Sequence, residues 1–321
     1  MDDASAANLK SRGAERQPRT TLADIVRRFG VEPDRIRFAA KRSNVHWRVV
    51  ADAGADVYAL RRFGVWGRTT PGDVGWEVAA VEAYAAAGAP VPRPIAPPRM
   101  VDGEVYLMMP WLGGRVLRHP PVSEDEFRQL GALLAEHHLA TAGMPVPGQR
   151  PGMGECAKGA APQIGGAARR GELLDAVARI DPDAARRFRA AAEALEARDL
   201  PAQLAGCPLR IVHGDFSSWN IKVAGGRLVG LFDFDCAHVD VRAADVAAAR
   251  RGYHDPVVEG YLSVTPLTDA ELDALDGLWL GGILNGLWRV LEDRLAAGDA
   301  DLMYGLGWQL EQLEKTRPYR R

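Results

Sequence analysis

Leu22, Ile25, Val26 and Phe29 fall at i, i+3, i+4 and i+7, the period of one helix face, and Gly30 is placed to end that helix. Further on the period shortens. Val45–Val50 and Val57–Arg61 read as strands, and Asp52-Ala-Gly-Ala-Asp56 between them has the composition of a hairpin connection. From Val74 to Ala87 the spacing is helical again. Val74, Val78, Val81 and Ala85 make one stripe, Glu77 sits beside it, and Gly88 is the stop. Pro90, Pro92 and Pro94 exclude helix and lead into Val105–Met109, a buried-strand pattern closed by Pro110-Trp-Leu-Gly-Gly, which reads as a crossover.

The second half is mainly helical. Ser123 and Glu126 form a capping-box pattern ahead of Phe127, Leu130, Leu133, Leu134 and His137 at helical spacing. Residues 143–167, rich in Gly and Pro, read as a long functional loop, and helical patterns resume over Glu172–Ala197. Asn220–Val223 and Leu228–Leu231 flank Gly225-Gly226 as a hairpin, and Thr268 with Glu271 opens a long apolar helix. The expected plan is α+β with two lobes. Behind a mobile tail over 1–18, a small antiparallel-sheet lobe covers 19–110 and a larger helical lobe covers 111–321.

Composition narrows the class. The chain has 321 residues, 47% hydrophobic and 26% charged, which suits a globular enzyme of two cores. A formal charge of -2 lacks the basic excess of nucleic-acid binders, and no apolar run reaches the roughly 20 residues that span a bilayer. The first residues are acidic and lack the apolar segment of a secretory leader. Cys156, Cys207 and Cys236 contain no closely spaced pair. These features lead to the expectation of a reduced, cytoplasmic protein with neither nucleic acid nor membrane as partner, its oligomeric state left open.

The chemistry concentrates in Ile-Val-His213-Gly-Asp215-Phe-Ser-Ser-Trp-Asn220-Ile and, after the hairpin, Val-Gly-Leu-Phe-Asp233-Phe-Asp235. Two strands joined by a tight turn bring Asn220 and Asp233 back to the same end of the ribbon, where an amide oxygen and a carboxylate can share one magnesium ion with phosphate oxygens. Asp215, on the loop entering the hairpin, is then the group that meets an attacking hydroxyl. His213 reads as a brace of the loop rather than the base. The pattern is that of ATP-dependent phosphoryl transfer.

His213-Gly-Asp215, Asn220 and Asp233-Phe-Asp235 together resemble the aminoglycoside phosphotransferase and choline/homoserine-kinase-like family, a branch of the protein-kinase fold. The resemblance runs from about Leu22 to Leu310. It implies a catalytic Asp215, magnesium ligands Asn220 and Asp233, and ATP as donor with GTP as the alternative. Asp245 matches an aspartate that supports the catalytic loop, though an N-cap position suits it as well. In the first lobe the resemblance puts Arg61 in the place of the strand lysine, a departure because a planar fork replaces a compact ammonium. Glu77 matches that cation's helix partner. Ser43 and Asn44 match the turn over the phosphates, without its glycines, and Met109 and Trp111 match the segment that contacts adenine.

Only a dozen residues separate Asp233 from Asp245, which is too short for the activation loop of a protein kinase, so a small-molecule acceptor is expected. A metal-dependent hydrolase is disfavoured because His137-His138 are adjacent rather than at ligand spacing; they read as core residues with one facing outward. The acceptor is an antibiotic such as an aminoglycoside, for which Asp235, Asp240, Glu259, Glu292 and Asp293 would line a cleft, or a small metabolite. A homoserine-kinase-like metabolic kinase and a catalytically silent nucleotide-binding protein of the same fold stand as alternatives.

Overall fold

The computed structural model describes residues 20–41, 44–64, 71–117, 123–146, 148–150, 167–296 and 306–320. The expected tail over 1–18, Ser43, Trp66, Cys156 and most of the 143–167 loop lie outside the described residues. The chain divides into two compact units. The first comprises the described residues of Met1–Val65 and Pro94–Trp111, the second those of Trp66–Arg93 and Leu112–Arg321.

The first unit begins with helix α1 (Leu22–Arg27), capped by the Thr21 hydroxyl accepting from Asp24 N–H, with Gly30 at φ +76° past its end. Strands β1 (Pro33–Lys41), β2 (Val45–Ala51), β3 (Asp56–Arg62), β4 (Arg99–Val101) and β5 (Glu104–Pro110) form an antiparallel sheet in the order β1-β2-β3-β5-β4. Ile25, Val26 and Phe29 bury against Val49, Leu60, Tyr106 and Met108, so one face of the sheet and one helix stripe share a core. Strand β1 escapes periodicity because it is an edge strand, exposed along most of its length and carrying Arg35 and Arg37. Strand β4 is three residues long, too short to show a pattern.

The second unit holds helix α2 (Pro71–Ala86), the short strand β6 (Arg115–Val116), α3 (Glu124–Ala140), α4 (Ala167–Ala178), α5 (Pro182–Glu196) and α6 (Leu200–Gln203). Strands β7 (Leu209–Val212), β8 (Ile221–Ala224), β9 (Arg227–Leu231) and β10 (His238–Val241) follow, then α7 (Arg242–Arg250), α8 (Asp255–Leu262), α9 (Asp269–Ala296) and α10 (Gly307–Lys315). The capping boxes of Ser123 with Glu126 and of Thr268 with Glu271 both form. Helices α3 and α8 approach backbone to backbone at two glycines. A Cβ on Gly131 would lie 1.9 Å from the Val257 carbonyl oxygen, and one on Gly260 the same distance from that of Arg128. Among the described residues no helix is long and apolar enough to cross a membrane.

Candidate active site

Two small antiparallel pairings carry the motif. In β8–β9, Ile221 is paired with Leu231, and Phe232 N–H donates to the Asn220 carbonyl at 3.1 Å. Asn220 and Asp233 therefore stand at one end of the hairpin and the Gly225-Gly226 tip at the other. The hairpin is fixed at its base by Leu231 N–H donating to the Pro90 carbonyl. In the second pairing Val212 faces His238, which sets the start of the Asp215 loop beside the chain leaving Asp233.

The loop is held from beneath by Asp245. Its carboxylate is fully buried and accepts the backbone N–H of His213 at 2.8 Å and of Gly214 at 2.7 Å. Burial pushes this carboxyl up, but hydrogen bonds from His138 and the loop outweigh that and hold it down at about 2. Asp245 is not an N-cap: it lies inside the first turn of α7, whose N-cap is Val241, and it points back to the loop. His138 completes the brace, with Nε2 3.3 Å from Asp245 and Nδ1 3.0 Å from the Tyr261 hydroxyl. Burial keeps His138 neutral, so its Nε2–H donates to the carboxylate and its Nδ1 accepts from Tyr261. Both His137 and His138 are buried, against the expectation that one faces outward, because both lie on the core side of α3.

Gly214 is at φ +77°, and a Cβ there would lie 2.1 Å from the Cys236 carbonyl oxygen, so the loop passes where only glycine fits. His213 accepts Asp215 N–H on Nδ1 at 3.3 Å and reaches the Phe232 carbonyl with Nε2 at 3.0 Å. It ties the loop to the hairpin's second strand, the bracing role read from the sequence.

Asp215 and Asn220 meet directly: the Asn220 amide nitrogen donates to the Asp215 carboxylate Oδ2 at 2.8 Å and to its main-chain carbonyl at 3.0 Å. Both amide hydrogens being spent there, Asn220 Oδ1 is left as an acceptor. Burial pushes the Asp215 carboxyl up to about 6; Arg251 and His213 pull it down, while Asp233 and Asp235 push it up. Asp233 adopts φ +70°, an unusual backbone for aspartate, at the entry to a 3-10 turn over Phe234–Cys236.

Arg150 was not singled out by the sequence. Its buried guanidinium donates to the carbonyls of Phe234, Asp235 and Ala237 at 2.8–3.0 Å, and to Asp73 on α2 at 2.6 Å. Glu77, also buried, lies 3.6 Å from it. Arg150 thus clamps the turn that follows Asp233. A lone arginine in a Gly- and Pro-rich stretch carries no sequence signal of this kind. Arg251 was missed as well: its guanidinium is 3.5 Å from Asp215 Oδ1 and stacks 4.2 Å over the Trp219 ring.

The remaining expected residues lie in the first unit. Arg61 is buried on β3 and stacks 4.3 Å over Phe63. Asn44 is buried at the start of β2. Met109 is half-buried on β5 opposite Ala59, and Trp111 donates its N–H to the Val57 carbonyl with its ring exposed. Of the acids considered for a cationic acceptor, Glu259 is bonded to Arg128 and Glu292 to Arg169, each at 2.8 Å, and Asp240 is fully buried. No group of three His, Cys, Asp or Glu side chains among the described residues is set to hold a metal ion. The oxygens of Asn220 and Asp233 suit a hard cation that draws its other ligands from water and phosphate.

A family model described as "Phosphotransferase enzyme family" matches residues 34–296. A homoserine kinase of Rhizobium johnstonii is 29% identical over 233 residues, covering 68% of this chain and 67% of that kinase. Among solved structures, a thermostable mutant of aminoglycoside phosphotransferase APH(4)-Ia in ternary complex with ADP and hygromycin B is similar. It has a TM-score of 0.59 and 17% identity over 92% of this chain and 99% of that one. Macrolide 2'-phosphotransferase MphH from Brachybacterium faecium gives a TM-score of 0.52 and 20% identity over 94% and 99%. At such identities the structural likeness is one of fold, the kinase-like α+β fold expected from the motif.

Proposed function

Because the chain belongs to the phosphotransferase enzyme family, we propose that it transfers the γ-phosphoryl group of ATP to a hydroxyl of a small molecule with magnesium as the metal. The observation that carries the reading is the Asp215–Asn220 contact at 2.8 Å, on a hairpin that returns the chain to Asp233. Asp215 orients the acceptor hydroxyl and takes its proton, a role that a carboxyl raised to about 6 by burial fills near neutral pH. Asn220 and Asp233 are the residues that would hold magnesium, which when bound would neutralise charge on the phosphates. The grouping of three carboxyls, Asp215, Asp233 and Asp235, supports a cation there. In the first unit Arg61 is assigned to the nucleotide phosphates and Asn44 to the turn over them, with Met109 and Trp111 against the base. Glu77, beside Arg150 on α2, is assigned to steadying the turn that follows Asp233.

For the acceptor, a small metabolite alcohol is favoured over a polycationic aminoglycoside. Glu259 and Glu292 are already neutralised by arginines and Asp240 is buried, so three of the acids that would line a cationic site are committed elsewhere. The similarity to homoserine kinases points the same way. The test is magnesium-dependent ATP consumption against a panel of homoserine, choline, aminoglycosides and macrolides, with Asp215→Ala as control. The variant should lose turnover by about 100- to 10,000-fold while nucleotide affinity is little changed. Turnover at the wild-type rate in Asp215→Ala defeats the assignment.

A further inference from the structure

Arg251 ends α7 in the left-handed region, at φ +54°, a place where glycine is usual. This backbone brings its guanidinium carbon over the Trp219 ring, 4.2 Å from the centroid, on the same loop that carries Asp215. A cation–π contact of this kind holds the guanidinium in place while its N–H groups can still donate. Among the described residues its one ion-pair partner is Asp215, at 3.5 Å, a distance too long for a strong hydrogen bond. Both side chains keep contact with solvent, Arg251 being 20% and Asp215 35% exposed.

The two oxygens of Asp215 have different neighbours. Oδ2 accepts from Asn220, on the metal side, and Oδ1 faces Arg251. The acceptor hydroxyl must approach the oxygen that is not engaged by Asn220. Arg251 therefore stands beside the acceptor rather than beside the nucleotide. Burial pushes its guanidinium down from the ordinary range against the pull of Asp215, yet a guanidinium stays charged across physiological pH. A fixed cation there repels a polycation and attracts an anion.

We propose that Arg251, stacked on Trp219 beside Asp215, is the specificity-determining residue that binds a carboxylate on the acceptor, so that the substrate class is small hydroxy acids or amino-acid alcohols retaining their carboxylate. The inference rests on the phosphotransferase reading above and deepens it. A carboxylate two to four carbons from the reacting hydroxyl can meet the in-plane N–H fork while the hydroxyl meets Asp215 Oδ1.

The experiment pairs acids with the alcohols that differ from them only at the carboxyl group: L-homoserine with L-homoserinol, glycerate with glycerol, 4-hydroxybutyrate with 1,4-butanediol. Magnesium-dependent ATP consumption is followed in wild type, Arg251→Ala and Arg251→Lys. Wild type should prefer the acid of at least one pair by about 10- to 100-fold in kcat/KM. In Arg251→Ala that preference should vanish through a raised acceptor KM, with the KM for ATP unchanged, and Arg251→Lys should restore part of it. Equal use of acid and alcohol by wild type overturns the proposal, as does a preference that survives in Arg251→Ala or an equal loss for both partners. ATP consumption driven by aminoglycosides instead would overturn it while leaving the phosphotransferase reading intact. No ATP consumption with any acceptor would refute both.

Discussion

Asp245→Asn is a near-isosteric change whose cost can be worked from the contacts. The carboxylate takes the His213 N–H on Oδ2 and the Gly214 N–H on Oδ1, and His138 Nε2 also reaches Oδ2. An asparagine offers one oxygen and one NH2 in their place, so one backbone N–H would face another donor. Leaving a buried donor unsatisfied costs about 1–3 kcal/mol. The bond that remains changes from charge-assisted to neutral, at about 1 kcal/mol more. The loss is then about 3 kcal/mol. A second route agrees: a carboxyl held at about 2 instead of its ordinary 3.8 favours the charged form by roughly 2–3 kcal/mol. The sign is that of a depressed acid: the stabilisation is full above about pH 4 and is lost as pH falls towards 2. Function should suffer as well. Both N–H groups belong to the residues just before Asp215, and a displacement near 1 Å costs on the order of 100-fold in rate. Urea denaturation at pH 7 and steady-state kinetics read the two effects. A variant within about 0.5 kcal/mol of wild type, or one with undiminished kcat, would show that the loop is positioned by something else.

Two further outcomes concern the core of the second unit. Burial depresses the His137 imidazole from 6.5 to about 3, so below pH 6.5 the unfolded chain takes up a proton that the folded chain refuses, and stability falls as pH falls. His137→Phe, which keeps the stacking on Tyr84 at 5.0 Å, should remove about 1.4 kcal/mol per pH unit of that acid sensitivity in urea melts between pH 6.5 and 5; an unchanged slope would contradict it. Gly260→Ala sets a Cβ 1.9 Å from the Arg128 carbonyl oxygen and should cost about 3 kcal/mol as α3 and α8 are forced apart, seen as a fall in Tm of several degrees; a Tm equal to wild type would mean the helices can separate freely.

What could be read in advance was what leaves a local trace. The α1 stripe, both capping boxes, the β8–β9 hairpin and the Asp215–Asn220–Asp233 spacing are all set by residues within one turn or one hairpin of each other. What could not be read depends on approach through space. Strand β1 has an almost fully exposed face, so its period carries no apolar signal. Arg150 reaches residues 73 and 234 from a stretch with no pattern of its own. Arg251 looks like an ordinary helix terminus until its left-handed backbone lays it over Trp219. Asp245 supports the loop and is no N-cap, because its carboxylate faces a loop more than thirty residues earlier in the chain.

The β8–β9 ribbon has Asn220 and Asp233 at one end and an exposed tip, Ala224–Arg227, at the other. A cation bound by Asn220 and Asp233 would be some four residues of extended chain, about 13 Å, from Gly225-Gly226. That separation makes the tip an attachment point for protein engineering: a peptide tag, a fluorophore or a surface tether grafted there leaves the end that carries Asn220 and Asp233 untouched.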